Sequence, residues 1–140
     1  MSNVQVSVCI LTYNHEKYIE ECINSIINQE TTFSFEIIVS DDCSSDGTWE
    51  ILLKYKEKYP DLIKIHRNEE NIGGCSNYNI LIEMAECKYI AYLDGDDYAY
   101  QGKLQVQYNI LEENPQCNVV LHAVDSVSYT HLTLPTSDLV

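Results

Sequence analysis

Apolar and polar positions alternate along the chain in blocks, and the period of the blocks changes in a regular order. Val6 to Leu11, within "VQVSVCILTYN", is a near-continuous apolar run ended by polar residues. It predicts a buried strand of a parallel sheet. In "HEKYIEECINSIINQ" the apolar positions are Tyr18, Ile19, Cys22, Ile23, Ile26 and Ile27. That spacing is a helical stripe, with Asn14 as the expected N-cap. "FEIIVS" predicts a second strand, "DDCSSDGT" a polar loop, and "WEILLKYKEKY" a second helix ended by Pro60, with Thr48 as its expected N-cap.

"LIKIHR" then reads as a strand, "NEENIGGCS" as a loop, and "NYNILIEMAE" as a helix with Tyr78, Leu81, Ile82 and Ala85 inward. "KYIAYL" reads as a fourth buried strand, "KLQVQYNILEEN" as a helix, and "NVVLHAV" as a fifth strand. Strand and helix alternate throughout. The expected fold is α/β: a doubly wound, mostly parallel sheet with right-handed crossovers and helices on both faces. Residues 1–126 carry this pattern, whereas the segment 127–140 is rich in Thr and Ser and has no periodicity. We read that segment as a tail of doubtful origin.

Composition narrows the functions open to such a fold. The net charge of −14 argues against nucleic acid as a partner, and makes an anionic ligand hard to bind unless a cation intervenes. The six cysteines form no CxxC and no zinc-type cluster, so they read as reduced thiols. No apolar run reaches the roughly 20 residues that span a bilayer. The N-terminal stretch has no charged region of the signal-peptide kind. The expected location is cytoplasmic, with peripheral attachment to the inner face of a membrane compatible with it.

In an open α/β sheet, ligands sit beyond the carboxyl ends of the strands. "TYNH", "DDCSSDGT" and "DGDD" all fall at such ends. In "DGDD", Asp94, Asp96 and Asp97 crowd three carboxylates together. Their repulsion rises steeply in a low-dielectric cleft. A hard cation such as Mg²⁺ or Mn²⁺ removes it and takes its other ligands from a diphosphate. Gly95 allows a tight turn or a close approach. A solvated acidic turn is the plain alternative, but the position after a strand and opposite two other polar strand ends favours the metal.

Asp41 and Asp42 are suited to accept hydrogen bonds from a base N–H and a ribose hydroxyl. Thr12 and Tyr13 offer backbone contacts and a stacking ring, and Asn71 with Gly73 lies in a loop suited to approach a nucleotide. Arg67 and Lys103 are the cations best placed for phosphates. His15 reads as an exposed first-turn residue. Loops of the EF-hand kind are excluded, because position 12 of "DCSSDGTWEILL" is Leu53 where a bidentate Glu is required.

"VSVCILTYNHEKYIEECINSIINQ", "FEIIVSDDCSSDGT" and "NIGGCSNYNILIEMAECKYIAYLDGDD" resemble, in order and spacing, the N-terminal half of family 2 glycosyltransferases of the GT-A fold. The resemblance covers about residues 4–125. It implies a nucleotide-diphospho-sugar donor, with a UDP-sugar favoured, a divalent Mn²⁺ or Mg²⁺, and inverting transfer of a hexosyl group. The acceptor would be a hydroxyl of a glycan or lipid-linked molecule, as in polysaccharide synthesis. By the same resemblance Tyr13 and Asp41 would contact the base, with Asp42 close by. Asp94 to Asp97 match the region that binds ribose and the metal-bridged diphosphate. Thr12, Asn14, Asn71, Gly73 and Gly95 complete the expected donor site. Asp96 is then the main metal contact, assisted by Asp94 and Asp97.

The family's general base lies beyond the residues matched, so no catalytic residue is assigned, and the chain alone is expected to be inactive. Three rivals remain. One is a non-catalytic nucleotide-sugar-binding module. The second is a sugar nucleotidyltransferase-like domain, which would want a Gly-rich basic loop in place of "TYNHEKY". The third is a phosphoacceptor signalling domain, which would want its acidic pair after the first strand.

Overall fold

A computed structural model describes residues 3–126 of the chain. Four strands form one parallel sheet: β1 (Val4–Thr12), β2 (Ser34–Asp41), β3 (Ile63–Arg67) and β4 (Tyr89–Asp94). Their order in the sheet is β3-β2-β1-β4. The helices are α1 (Ile19–Ile27), α2 (Thr48–Lys58), α3 (Gly74–Met84) and α4 (Lys103–Glu113). The sheet and the first three helices belong to a compact unit, Met1–Val106, and a second unit begins at Gln107.

The strand order fixes the layers. From β1 to β2 to β3 the chain steps in one direction, and from β3 to β4 it steps back past β1. Right-handed crossovers then put α1 and α2 on one face and α3 on the other. Registers agree with this. Cys9 pairs with Ile38, and both pack with Leu81 of α3. Val8, Ile10, Ile37 and Val39, one residue out of step, are buried on the opposite face. Burying both faces explains why β1 and β2 read as continuous apolar runs.

The structure revises several expectations from the sequence. Residues 118–124 form no strand. Their apolar content suits a strand but does not supply a partner to pair with. β4 is an edge strand of this sheet, not a doubly buried one: Ile90 and Tyr92 are 43% and 38% exposed. Tyr78 is also exposed, and its ring meets that of Tyr92 edge-on at 5.1 Å. The expected caps shift too. Tyr18 precedes α1 and Gly47 precedes α2, so neither Asn14 nor Thr48 is the N-cap. Asp46 takes over at α2, where its carboxylate accepts the Thr48 N–H at 2.9 Å. All six cysteines are free. The segment 127–140 lies outside the described residues.

Candidate donor-binding cleft

The carboxyl ends of β1, β2 and β4 and the loop from β3 to α3 meet around a cleft of about 320 Å³. Leu11, Thr12, Tyr13, His15, Asp42, Asn71, Gly73, Gly74, Asn77 and Asp94 line it. Because β2, β1 and β4 are neighbours, the Asp42 side and the Asp94 side stand about 10 Å apart, two strand spacings of roughly 4.8 Å.

Asp42 is buried among donors. Its Oδ1 accepts from Asn68 Nδ2 and from the Ile72 N–H, each at 2.9 Å, and its Oδ2 accepts from the Gly73 N–H at 2.9 Å. One carboxylate thus ties the loop after β3 to the end of β2. Gly73 has φ +86°, a left-handed conformation that suits glycine and lets its N–H turn toward Asp42. Asn71 Oδ1 accepts from the same N–H at 3.2 Å. Behind them Asn77 is fully buried, and its Oδ1 accepts from Asn68 Nδ2 at 2.9 Å and from the Ser40 hydroxyl at 2.5 Å. Sequence reasoning passed over Asn68 and Asn77. The one available signal is an Asn at an inward helical position beside Leu81.

Asp41, expected at the base, is fully buried and outside the cleft lining. It accepts the Ser44 N–H at 3.1 Å and the Ser44 hydroxyl, and its Oδ2 lies 3.4 Å from Arg67 Nε. Burial pushes its carboxyl up, against the pull of Ser44 and Arg67. Arg67, expected near phosphates, instead donates to the Ser44 carbonyl at 2.8 Å and stacks on Trp49 at 5.4 Å. Burial lowers Lys103. Asn14, with φ +53°, clasps two loops: its N–H donates to Ser44 Oγ at 2.9 Å and its Oδ1 accepts the Ser45 N–H at 2.8 Å.

At the β4 side, Asp94, Asp96 and Asp97 can each bring one oxygen within 4.8 Å of the others. Burial, then the charges of Asp96 and Asp94, push the Asp97 carboxyl up. Tyr92 donates to Asp94 Oδ1 at 2.5 Å. His15 is no bystander: it lines the cleft, with Nδ1 3.1 Å from Thr12 Oγ1 and Nε2 3.8 Å from Asp96 Oδ2. Gly95 carries no side chain because none fits; a Cβ would lie 2.8 Å from both His15 Nδ1 and Thr12 Oγ1. The three carboxylates suit a hard cation. Oxygens sharing one Mg²⁺-sized ion at about 2.1 Å lie at most about 4.2 Å apart, so closing the set asks for less than ~1 Å of movement.

Known proteins resemble this chain in sequence and in fold. The poly(ribitol-phosphate) beta-glucosyltransferase of Bacillus spizizenii is 34% identical over 126 residues, 89% of this chain and 20% of that protein. The crystal structure of Staphylococcus aureus TarS 1-349 in complex with UDP-GlcNAc superposes with a TM-score of 0.69 at 35% identity, over 80% of this chain and 32% of the other. TarS is a poly(ribitol-phosphate) beta-N-acetylglucosaminyltransferase. The mannosyltransferase PcManGT from Pyrobaculum calidifontis, in complex with GDP-Man and Mn²⁺, gives a TM-score of 0.70 at 25% identity, over 79% and 33%.

A parallel sheet with the cleft at its carboxyl edge is thus, in this case, part of a GT-A glycosyltransferase fold. Residues 7–137 match glycosyl transferase family 2, and the chain belongs to that family. It spans 19% to 42% of the length of the relatives it matches. Among the described residues, no helix is long and apolar enough to cross a membrane.

Proposed function

We propose that the cleft binds a nucleotide-diphospho-sugar, with a UDP-sugar favoured, for inverting transfer of a hexosyl group to a hydroxyl of a glycan or lipid-linked acceptor. The observation that carries this reading is one cleft lined by Tyr13, Asp42 and Asp94, with Asp96 and Asp97 clustered beside Asp94 at the end of β4. Tyr13, 44% exposed, offers a ring for the base, and Asp42 offers an acceptor for a base N–H. Thr12, Asn71 and Gly73 flank the path between base and diphosphate. Asn14 and Gly95 support the site from behind: one clasps its loops and the other admits close packing.

Asp96, with Asp94 and Asp97, would hold a divalent cation, Mn²⁺ or Mg²⁺. Such an ion neutralises charge on the nucleoside diphosphate as it leaves. The ion also explains how a chain with a net charge of −14 accepts an anionic donor. The carboxylates orient the cation side of the site, and Asp42 and Tyr13 set the register of the nucleoside.

Calorimetric titration with UDP and GDP, with and without Mn²⁺, tests this directly, with Asp96→Asn as control. Metal-dependent binding that the substitution abolishes is the expected result. A well-folded chain that binds neither nucleotide at millimolar concentration would sink the proposal.

A further inference from the structure

The segment that carries Asp96 and Asp97 leaves the sheet at Asp94, and residues 97–100 belong to no helix or strand. Without a ladder of backbone bonds, its path depends on anchors at its two ends. At the entry, the Gly95 N–H donates to the Leu11 carbonyl at 2.8 Å, and the Cys22 thiol donates to the Asp94 carbonyl at 3.5 Å. At the exit, the Ala99 N–H donates to Ser25 Oγ at 2.9 Å, and Gln29 Nε2 donates to the Tyr100 carbonyl at 2.8 Å. Cys22, Ser25 and Gln29 follow one another at helical spacing along one side of α1 and the turn that ends it.

Gln29 does more than hold one carbonyl. It is only 6% exposed, and both halves of its carboxamide are used. A second bond runs from Nε2 to the Ser25 carbonyl at 3.1 Å, and Oε1 accepts the Leu104 N–H at 3.2 Å. The Ser25 carbonyl lies in the last turn of α1 and the Leu104 N–H in the first turn of α4, where helices leave backbone groups without internal partners. One buried amide thus joins the end of α1, the segment after the aspartates and the start of α4. Ser25 is fixed as well: its hydroxyl donates to the Cys22 carbonyl at 2.6 Å, which leaves the oxygen free to accept from Ala99. Neither side chain lines the cleft.

We infer that Gln29 and Ser25 are positioning residues for the cation: by fixing the exit of the turn, they hold Asp96 and Asp97 where their oxygens converge with that of Asp94. Three carboxylates repel one another, and a turn free at one end would let them part. Anchored at Gly95 and Ala99, the turn leaves only Asp96, Asp97 and Tyr98 between its two fixed points. The inference rests on the cation-binding part of the reading above. It goes further by placing part of that affinity in side chains that touch neither cation nor nucleotide.

The test is calorimetric titration of the whole chain with Mn²⁺ alone, with a melting temperature for each variant. Gln29→Met keeps the volume and deletes all three bonds. Gln29→Glu keeps an acceptor for Leu104 but loses the donor to Tyr100. Both are expected to weaken Mn²⁺ binding by about tenfold, the low end for partners that orient ligands from outside. Ser25→Ala should weaken it by about threefold. The charge that Gln29→Glu adds would by itself strengthen cation binding, so a loss there reports geometry. Ile63→Val is the control: Ile63 is fully buried on β3, at the opposite edge of the sheet from β4. It should lower the melting temperature and leave Mn²⁺ affinity unchanged.

Wild-type affinity in both Gln29 variants would overturn the inference and leave the cation site standing. So would a weakening in Ile63→Val as large as theirs, since affinity would then follow stability in general. A loss in Gln29→Met alone would assign the amide to α4 and overturn its role at the turn. Failure of the wild type to bind Mn²⁺ would remove the cation site and the inference together. Where neither Gln29 variant folds, Ser25→Ala decides, and an unchanged Mn²⁺ affinity there overturns the inference.

Discussion

Gly95 packs against Thr12 with no space between them: a Cβ on Gly95 would sit 2.8 Å from Thr12 Oγ1 and 2.9 Å from Thr12 Cβ. Thr12 is β-branched and fully buried, so it cannot step aside. The turn that delivers Asp96 and Asp97 is therefore seated on the end of β1, where the Gly95 N–H also donates to the Leu11 carbonyl at 2.8 Å. Gly95→Ala should cost about 1–3 kcal/mol as an overpacking change. It should also weaken Mn²⁺ binding by displacing the carboxylates. Thermal melts and Mn²⁺ titration check this; an unchanged melting temperature and an unchanged affinity would refute it.

Tyr92 reaches Asp94 from within the same strand, its hydroxyl donating to Oδ1 at 2.5 Å. Burial, then that bond and the Asp94 charge, push the phenol well up, so it stays a donor. Removing the hydroxyl with Tyr92→Phe keeps the ring against Tyr78 and takes away only the restraint on Asp94. One hydrogen bond is worth about 1 kcal/mol, so Mn²⁺ affinity is expected to fall by about fivefold, with the fold unaffected. Tighter Mn²⁺ binding in this variant would show that the bond competes with the cation instead of orienting its ligand.

Arg67 is the only cation within reach of the buried Asp41 carboxylate among the described ion pairs. Its guanidinium uses Nε for Asp41, Nη2 for the Ser44 carbonyl, and its face for Trp49. Lysine cannot reproduce that fork. Arg67→Ala is expected to destabilise the fold by about 2–3 kcal/mol, because a buried charge loses its partner. Arg67→Lys should recover less than half. Urea melts of both variants decide the point, and equal stabilities for the lysine variant and the wild type would contradict it.

Glu36 gives a pH prediction away from the cleft. Burial pushes its carboxyl up, but hydrogen bonds from Lys64, at 2.7 Å, and Ser7, at 2.7 Å, outweigh burial and pull it below its ordinary value of 4.5. A carboxyl lowered in the folded state contributes stability above that ordinary value, and loses it as the pH falls through the lowered one. Acid unfolding below about pH 4.5 should therefore soften in Glu36→Gln. Denaturant melts between neutral pH and pH 3 would show it; the same pH slope in variant and wild type would rule Glu36 out as a contributor.

The layered fold was legible because periodicity reports burial. β1 and β2 are covered on both faces and read as unbroken apolar runs, and α1 shows its stripe directly. β4 misled for the same reason, since Ile90 and Tyr92 are apolar yet exposed on an edge strand. The acidic pair shows the limit most sharply. Sequence places Asp41 and Asp42 side by side, but adjacent residues at a strand end point to opposite faces. One became the internal partner of Arg67 and Ser44, and the other the lining of the cleft. Asn68 and Asn77 were hidden because an asparagine in a loop or on a helix carries no mark of the network it will join. His15 reads from the sequence as an exposed first-turn residue, and its neighbours Thr12 and Asp96 come together only in the fold.

The cleft is assembled from pieces far apart along the chain, from Leu11 to Asp94, and no single crossover unit contains it. Half-folded forms that have only β1 and β2 in place would lack both the loop that Asp42 latches and the turn that Gly95 seats. Nucleotide affinity should then switch on with the last strand to dock. A ligand that binds the folded form alone shifts the unfolding equilibrium by mass action, so the bound donor would act as a fold-completion signal for the whole sheet.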